Sequence, residues 1–325
     1  MSQLFTPITV GEVTFRNRVV MPPMVNNSGD GEGGVTEAAR RYYRQRAAAG
    51  TAMIIVEATA VHEKGRCWEA GLGAYSERQI PSLKGLSEAI ASEGCVPAIQ
   101  LVHGGPQGSL ELGGGETVGP SPIPPTLDAP VPRALTVAEI QAIEESFADA
   151  AGRAVAAGFR AVEVHGAHGF LLDSFLLSHR NQRTDAYGGP LANRARMLVE
   201  TCRRVKNRIG DQALLLCRLS IFNKRAEGFT SQDLGELVHG LESAGVEVLH
   251  VSTDGAFEGY FGTDKSIGKW AKELTQLPVI VAGGLGDPED AERAVAEGHC
   301  DLAAVGSAML RDADWTRRAA EVLGA

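Results

Sequence analysis

From residue 18 to its C-terminus the chain alternates eight short runs rich in Val, Ile and Leu with longer amphipathic stretches. The runs cover residues 18–21, 53–57, 97–101, 161–164, 214–219, 248–251, 279–282 and 302–305. Most lack apolar–polar alternation, as strands buried on both faces do, and such strands belong to parallel sheets covered by helices. The stretches between them carry helix punctuation. Thr136 precedes a helix over 137–157 with Glu139 three residues on, a capping box. Thr230 precedes one over 231–244 that stops at Gly245, and Asp287 with Pro288 opens one over 288–297 that stops at Gly298. Eight strand–helix units in series predict an α/β fold, a single (β/α)8 TIM barrel with residues 1–325 as one domain. A doubly wound open sheet would want a GxGxxG turn after its first strand. Here that turn reads Pro22-Pro23-Met24-Val25-Asn26-Asn27, which disfavours it.

Two segments fall outside the repeating unit. Residues 6–17 read as a short N-terminal hairpin turning at Gly11. Residues 104–133, dense in Gly and Pro, form a long loop after the third strand, where a lid or pocket wall over the barrel mouth is expected. Composition narrows the function classes. The 44% hydrophobic content supports a large core, while a net charge of −9 and a pI of about 5.5 argue against a nucleic-acid partner. No apolar run reaches membrane-spanning length and no secretory signal opens the chain, so a cytoplasmic protein without membrane contact is expected. The five cysteines are scattered without a CxxC, so no disulfide framework, iron–sulfur cluster or zinc site is expected.

In a barrel of this kind chemistry gathers at the C-terminal ends of the strands. Those ends carry Pro23 and Met24, Ala58, Gln100 with His103, His165 with His168, Arg218, Gly283 with Gly284, and Gly306 with Ser307. His165 and His168 open a long polar loop and can act as paired donors to an oxygen; a metal-ligand role lacks an evident Asp or Glu to complete the set. Arg218 ends a buried strand and must face an anionic ligand or a carboxylate. The turn AGGLGDPED places backbone N–H groups beside a helix N-terminus, which suits a phosphate but also fits any tight turn. His103 can simply pack beneath the long loop, and Tyr187 in DAYGG reads as an anchor of its loop rather than an acid.

Together these stretches resemble the Old Yellow Enzyme family of FMN-dependent NAD(P)H:flavin oxidoreductases over nearly the whole chain. The carrying segments are LFTPITVGEVTFRNRVVMPPM near the start, QLVHGG at 100 to 105, HGAHGFLLDSFLLSHRNQRTDAYGGPLANR from His165, and VAGGLGDPEDAERAVAEGHCDLAAVGSAMLRDADW near the end. The resemblance implies FMN across the barrel mouth and NADPH or NADH as electron donor. Pro23, Met24, Val25 and Ala58 would line the isoalloxazine and Gln100 would bond its pyrimidine part. Arg218 would stabilise the anionic reduced ring. Gly283, Gly284, Leu285, Gly306 and Ser307 would hold the phosphate. His165 and His168 would be the catalytic pair, binding the carbonyl oxygen of a small α,β-unsaturated substrate, with Phe170 and Val25 beside it.

The chain departs from the family pattern at informative places. Phe170 stands where a tyrosine usually gives a proton to the α-carbon, Val25 where Cys or Thr tunes the flavin, and Ser307 where an Arg commonly grips the phosphate. Arg311 or Lys265 would then supply the missing cation. The chain ends at Ala325 just past the eighth helix, so the cluster and second flavin domain of larger members are not expected. The leading expectation is NAD(P)H-driven C=C reduction. Alternatives are an FMN-dependent dehydrogenase (desaturase) or a C=C isomerase working without a tyrosine, and a non-catalytic flavin-binding module. Assembly into a homo-oligomer is compatible with the sequence.

Overall fold

The computed structural model describes residues 2–220 and 229–325. Eight parallel strands close into a barrel: β1 (Val19–Met21), β2 (Met53–Ala60), β3 (Val96–Val102), β4 (Ala161–Gly166), β5 (Leu214–Leu219), β6 (Val248–Ser252), β7 (Val279–Ala282) and β8 (Leu302–Ala304). Each pairs in parallel with the next in sequence, and β8 closes onto β1 through Ala303 opposite Val19. Nearly every strand residue is buried. That is why the runs read as continuous apolar stretches rather than alternating ones.

The main helices between strands are α1 (Glu37–Ala48), α2 (Ile80–Ala91), α3 (Val137–Ala156), α4 (Arg196–Ile209), α5 (Ser231–Ser243), α6 (Ile267–Leu274), α7 (Pro288–Ala296) and α8 (Trp315–Leu323). The start signals read from sequence are realised in hydrogen bonds. Thr136 and Glu139 form a reciprocal capping box on α3, Thr230 and Asp233 one on α5, and Asp287 accepts from the Glu289 N–H on α7. Ile140, Phe147, Ala150, Ala151 and Ala154 of α3 are fully buried, the stripe that docks it on the barrel wall.

The N-terminal hairpin pairs Ile8–Val10 with Val13–Phe15 antiparallel around Gly11, whose φ is +53°. Its Val10, Val13 and Phe15 join the barrel-interior cluster of Val20, Ile55, Leu216 and Ile280. It plugs the end of the barrel opposite the strand C-termini.

The 104–133 segment is pinned rather than loose. Val118–Gly119 pairs with Arg133–Ala134. The Arg180 guanidinium donates to the Pro124 and Pro125 carbonyls, and Arg183 donates to those of Pro120 and Leu135. Arg180 and Arg183 belong to the RNQRTD run after β4, so much of that polar stretch is structural scaffolding. Tyr187 is 3% exposed, bonds Glu200 through its hydroxyl and packs on Phe175, an anchor as the sequence suggested. No helix among the described residues is long and apolar enough to cross a membrane.

Candidate active site

The strand C-termini bring His165, His168 and Arg218 into one polar cluster and set Met24, Gly283, Gly284, Leu285, Gly306 and Ser307 around one cleft. His165 is the penultimate residue of β4 and 3% exposed. His168 follows in the loop with φ +61°, a left-handed conformation costing on the order of 1–2 kcal/mol in a non-glycine residue. Its backbone is clamped there: its N–H donates to Ser220 Oγ at 2.7 Å, and its carbonyl accepts from Gln107 Nε2 at 2.7 Å. Three separate loops therefore set one imidazole.

The two rings stand with centroids 5.1 Å apart, and His168 Nδ1 lies 3.4 Å from His165 Nε2. That contact is near the outer limit of a hydrogen bond, so an oxygen acceptor can replace it at small cost. Burial holds His165 well below its ordinary pKa, with the His168, Arg218 and His250 charges adding. His168 is exposed at the mouth, yet desolvation of its ring, with help from Arg218 and His250, lowers its pKa to about 3. Both rings are then neutral near pH 7, each with one N–H to donate. His168 Nε2 also meets Ser252 Oγ at 3.1 Å, and Arg218 donates to the same hydroxyl at 3.2 Å. His165, His168, Ser252 and Arg218 thus form one chain of polar contacts across β4, β5 and β6.

Beneath this chain lies a buried set that the sequence reading missed. Glu163 on β4, fully buried, accepts from Gln100 Nε2 at 2.8 Å and meets His250 Nδ1 at 2.6 Å. Its charge opposes the lowering of the Arg218 pKa that burial causes. Arg218 therefore has a carboxylate in its field, while its Nε and the His250 Nε2 are buried without a partner. The available signal was a charged residue inside an apolar run, which burial forces to find partners. A second missed carboxylate, Glu57, lies in the bulged part of β2 beside Ala58. It bonds Tyr43 Oη and the Asn26 N–H, and so fixes the Pro23–Met24–Val25 segment. Burial raises its pKa to about 7. Bulges next to sites commonly re-aim a side chain in this way.

From Arg218 a cleft of about 490 Å3 runs past Met24, Ser252 and Gly284 to Gly306, Ser307 and Arg311. Gly283 (φ +154°) and Gly284 (φ +70°) need glycine's freedom, and a Cβ on Gly283 would sit 2.3 Å from the Thr253 carbonyl oxygen. Leu285 is 2% exposed, and Trp315 Nε1 holds the turn through the Gly286 carbonyl. Of the two cations suggested in place of an arginine at 307, Lys265 is engaged elsewhere: it pairs with Glu273 and lies 4.1 Å over the Trp270 ring. Arg311 lines the cleft. The acidic Asp287 and Asp290 also line it. An unpartnered arginine edge at one end and a glycine turn with a cation at the other fit a ligand with a polar flat ring and a phosphate.

Phe170 packs against His165 with centroids 5.1 Å apart. Val25 is half-buried after β1. His103 is 4% exposed, accepts the Gly105 N–H and is pushed by burial to a pKa of about 3, so it packs under the long loop and takes no place beside His165. No group of three or more His, Cys, Asp or Glu among the described residues could hold a metal.

A family model described as the NADH:flavin oxidoreductase / NADH oxidase family matches residues 3–324. An NADPH dehydrogenase of Listeria innocua is 35% identical over 335 residues, covering 100% of this chain and 96% of the relative. An NADH oxidase of Thermoanaerobacter brockii is 34% identical over 330 residues, and there the chain spans 98% of itself but only 50% of the relative. Among solved structures, the old yellow enzyme homologue from Zymomonas mobilis superposes with a TM-score of 0.89 at 28% identity, over 98% of this chain and 93% of that one. A morphinone reductase mutant in complex with tetrahydroNAD gives a TM-score of 0.87 at 27% identity, over 100% and 91%.

Proposed function

Because the chain belongs to the NADH:flavin oxidoreductase / NADH oxidase family, whose members are FMN-dependent NAD(P)H oxidoreductases of the Old Yellow Enzyme type, we propose that it reduces the C=C bond of α,β-unsaturated carbonyl compounds. What FMN supplies when bound is a centre that takes a hydride from NADPH or NADH and gives one to an electron-poor alkene carbon. The chain's own residues do the rest. Gly283, Gly284, Leu285, Gly306 and Ser307 offer backbone N–H groups to a phosphate, with Arg311 as the nearby cation. Pro23, Met24, Val25 and Ala58 line the ring. Gln100, whose amide N–H is taken by Glu163, keeps its Oε1 as an acceptor for a ring N–H. Arg218 presents its unpartnered Nε edge where negative charge gathers on a reduced ring.

The observation that carries the reading is the neutral imidazole pair. His165 and His168 donate to the substrate's carbonyl oxygen and stabilise the charge that develops there, which polarises the conjugated alkene. Phe170 has no proton to give, so the α-carbon takes its proton from solvent at the open mouth. That side chain also favours a second reading, a dehydrogenase or isomerase that does not need a tyrosine acid. Anaerobic NADPH followed by 2-cyclohexenone separates them: the first reading expects flavin bleaching and then reoxidation by the enone. Bleaching without reoxidation supports the second, and a protein that takes up no FMN sinks both. Phe170→Tyr speeds the reoxidation if proton delivery limits it.

A further inference from the structure

Beside the imidazole pair the mouth carries an aromatic edge that the flavin and carbonyl roles leave unexplained. Phe170 lies 5.1 Å from His165, and Trp68 meets Phe170 edge-on with centroids 6.0 Å apart and an interplanar angle of 70°. His168, His165, Phe170 and Trp68 therefore form a continuous row of four rings. One end donates hydrogen bonds. The other presents aromatic faces, with no hydroxyl at Phe170 and a single indole N–H at Trp68. Trp68 and Phe170 are both part-exposed, so their faces remain available.

The loop that presents Trp68 is held firmly. Arg66, 8% exposed, donates to the Gly31 and Glu69 carbonyls at 2.6 Å each, and its own carbonyl accepts the Ser109 N–H. The Gly29 N–H bonds the Ala70 carbonyl and the Gly71 N–H bonds the Trp68 carbonyl. Cys67 packs against Gly104, where an added Cβ would sit 2.7 Å from the sulfur. A tryptophan fixed on both sides loses little freedom on meeting a ligand, and so keeps more of its stacking energy.

We infer that Trp68 and Phe170 select substrates whose carbonyl is conjugated to a flat aryl group, the oxygen sitting at His165 and His168 and the aryl body lying along the Phe170–Trp68 edge. The inference rests on the ene-reductase reading for its reaction and on the ring row alone for its selectivity. A compact enone such as 2-cyclohexenone is too short to engage both ends of the row, whereas trans-cinnamaldehyde spans from the imidazoles toward the indole. Aromatic pairs contribute about 0.5–1.5 kcal/mol beyond area burial, equivalent to roughly a three- to tenfold preference.

The test uses the FMN-loaded protein and its Trp68→Ala and Trp68→Phe variants. In Trp68→Ala the ratio of kcat/KM for trans-cinnamaldehyde to that for 2-cyclohexenone is expected to fall about three- to tenfold, and Trp68→Phe to recover most of it. Calorimetric binding of trans-cinnamaldehyde against 2-cyclohexenone to the oxidised protein without NADPH reads the same edge independently of turnover. Wild-type preference for trans-cinnamaldehyde, reduced in Trp68→Ala, supports the inference. An unaltered ratio, or equal binding of the two compounds by the wild type, overturns it. If neither compound is reduced but trans-cinnamaldehyde binding depends on Trp68, the selectivity stands and the ene-reductase reading falls.

Discussion

At the scale of single residues, the proposed carbonyl clamp consists of neutral donors. His165 and His168 are kept unprotonated mainly by desolvation, so each offers an N–H without bringing a positive charge next to Arg218. Removing a donor aimed at developing charge typically lowers a rate by about a hundredfold or more. Combining His165→Ala with His168→Ala is therefore expected to slow enone-driven flavin reoxidation at least about a hundredfold in stopped-flow traces; reoxidation at the wild-type rate would place the carbonyl site elsewhere. The histidines were legible because two imidazoles three residues apart open a long polar loop at a strand end, whereas the lone His103 packs beneath its loop. Glu163 and His250 were not singled out, because each is one polar letter inside an apolar run. Only the cross-strand register, Gln100 opposite Glu163 and His250 opposite Arg218, shows that four polar letters on four strands form one network.

Among elements, the strands were legible to within a few residues at each end, because burial on both faces leaves an uninterrupted apolar signature. The predicted 214–219 and 279–282 strands coincide with β5 and β7. The β2 strand runs to Ala60, three residues past the sequence estimate, because the bulge admits Glu57 and Thr59 into the strand with their polar groups satisfied. The turn after β7 illustrates the limit of motif reading. AGG marks a turn that needs glycine's backbone freedom, but which cation stands near it depends on where Lys265 and Arg311 fall in space. Arg311→Ala is expected to weaken FMN binding to the apoprotein about tenfold or more, the scale of a lost charge-assisted hydrogen bond. Riboflavin, lacking the phosphate, provides the control in a flavin-fluorescence titration: equal weakening of both ligands would mean that Arg311 does not meet the phosphate.

For the whole molecule, two sets of buried groups set opposing dependences on pH. Burial holds His103, His165 and His250 below the ordinary 6.5, His103 at about 3. They take up protons in the unfolded chain before the folded one, so their contribution to stability falls as pH drops from 6.5 toward 3. Glu57, Glu144 and Asp173 are raised by burial to about 7. They hold protons in the folded state that the unfolded chain has lost, so their contribution is full below the unfolded carboxyl range and fades as pH rises to about 7. Between roughly pH 5.5 and 7 the two trends offset, and below about 5 the histidine trend prevails. Urea midpoints are expected to change little across the first interval and to drop steeply from about pH 5 to 3.5; a midpoint that rises on acidification through that lower range would contradict the assignment.

The plugged end of the barrel has a further consequence. With Val10, Val13 and Phe15 filling the opening opposite the site, the described residues leave the mouth at the strand C-termini as the doorway to His165, Arg218 and the cleft. Electron donor and electron acceptor then cannot queue at opposite ends; each must vacate before the other enters. Excess nicotinamide would obstruct the very compound it is meant to serve, so the traffic rule of the catalyst is written by a two-stranded N-terminal hairpin far from any reacting atom.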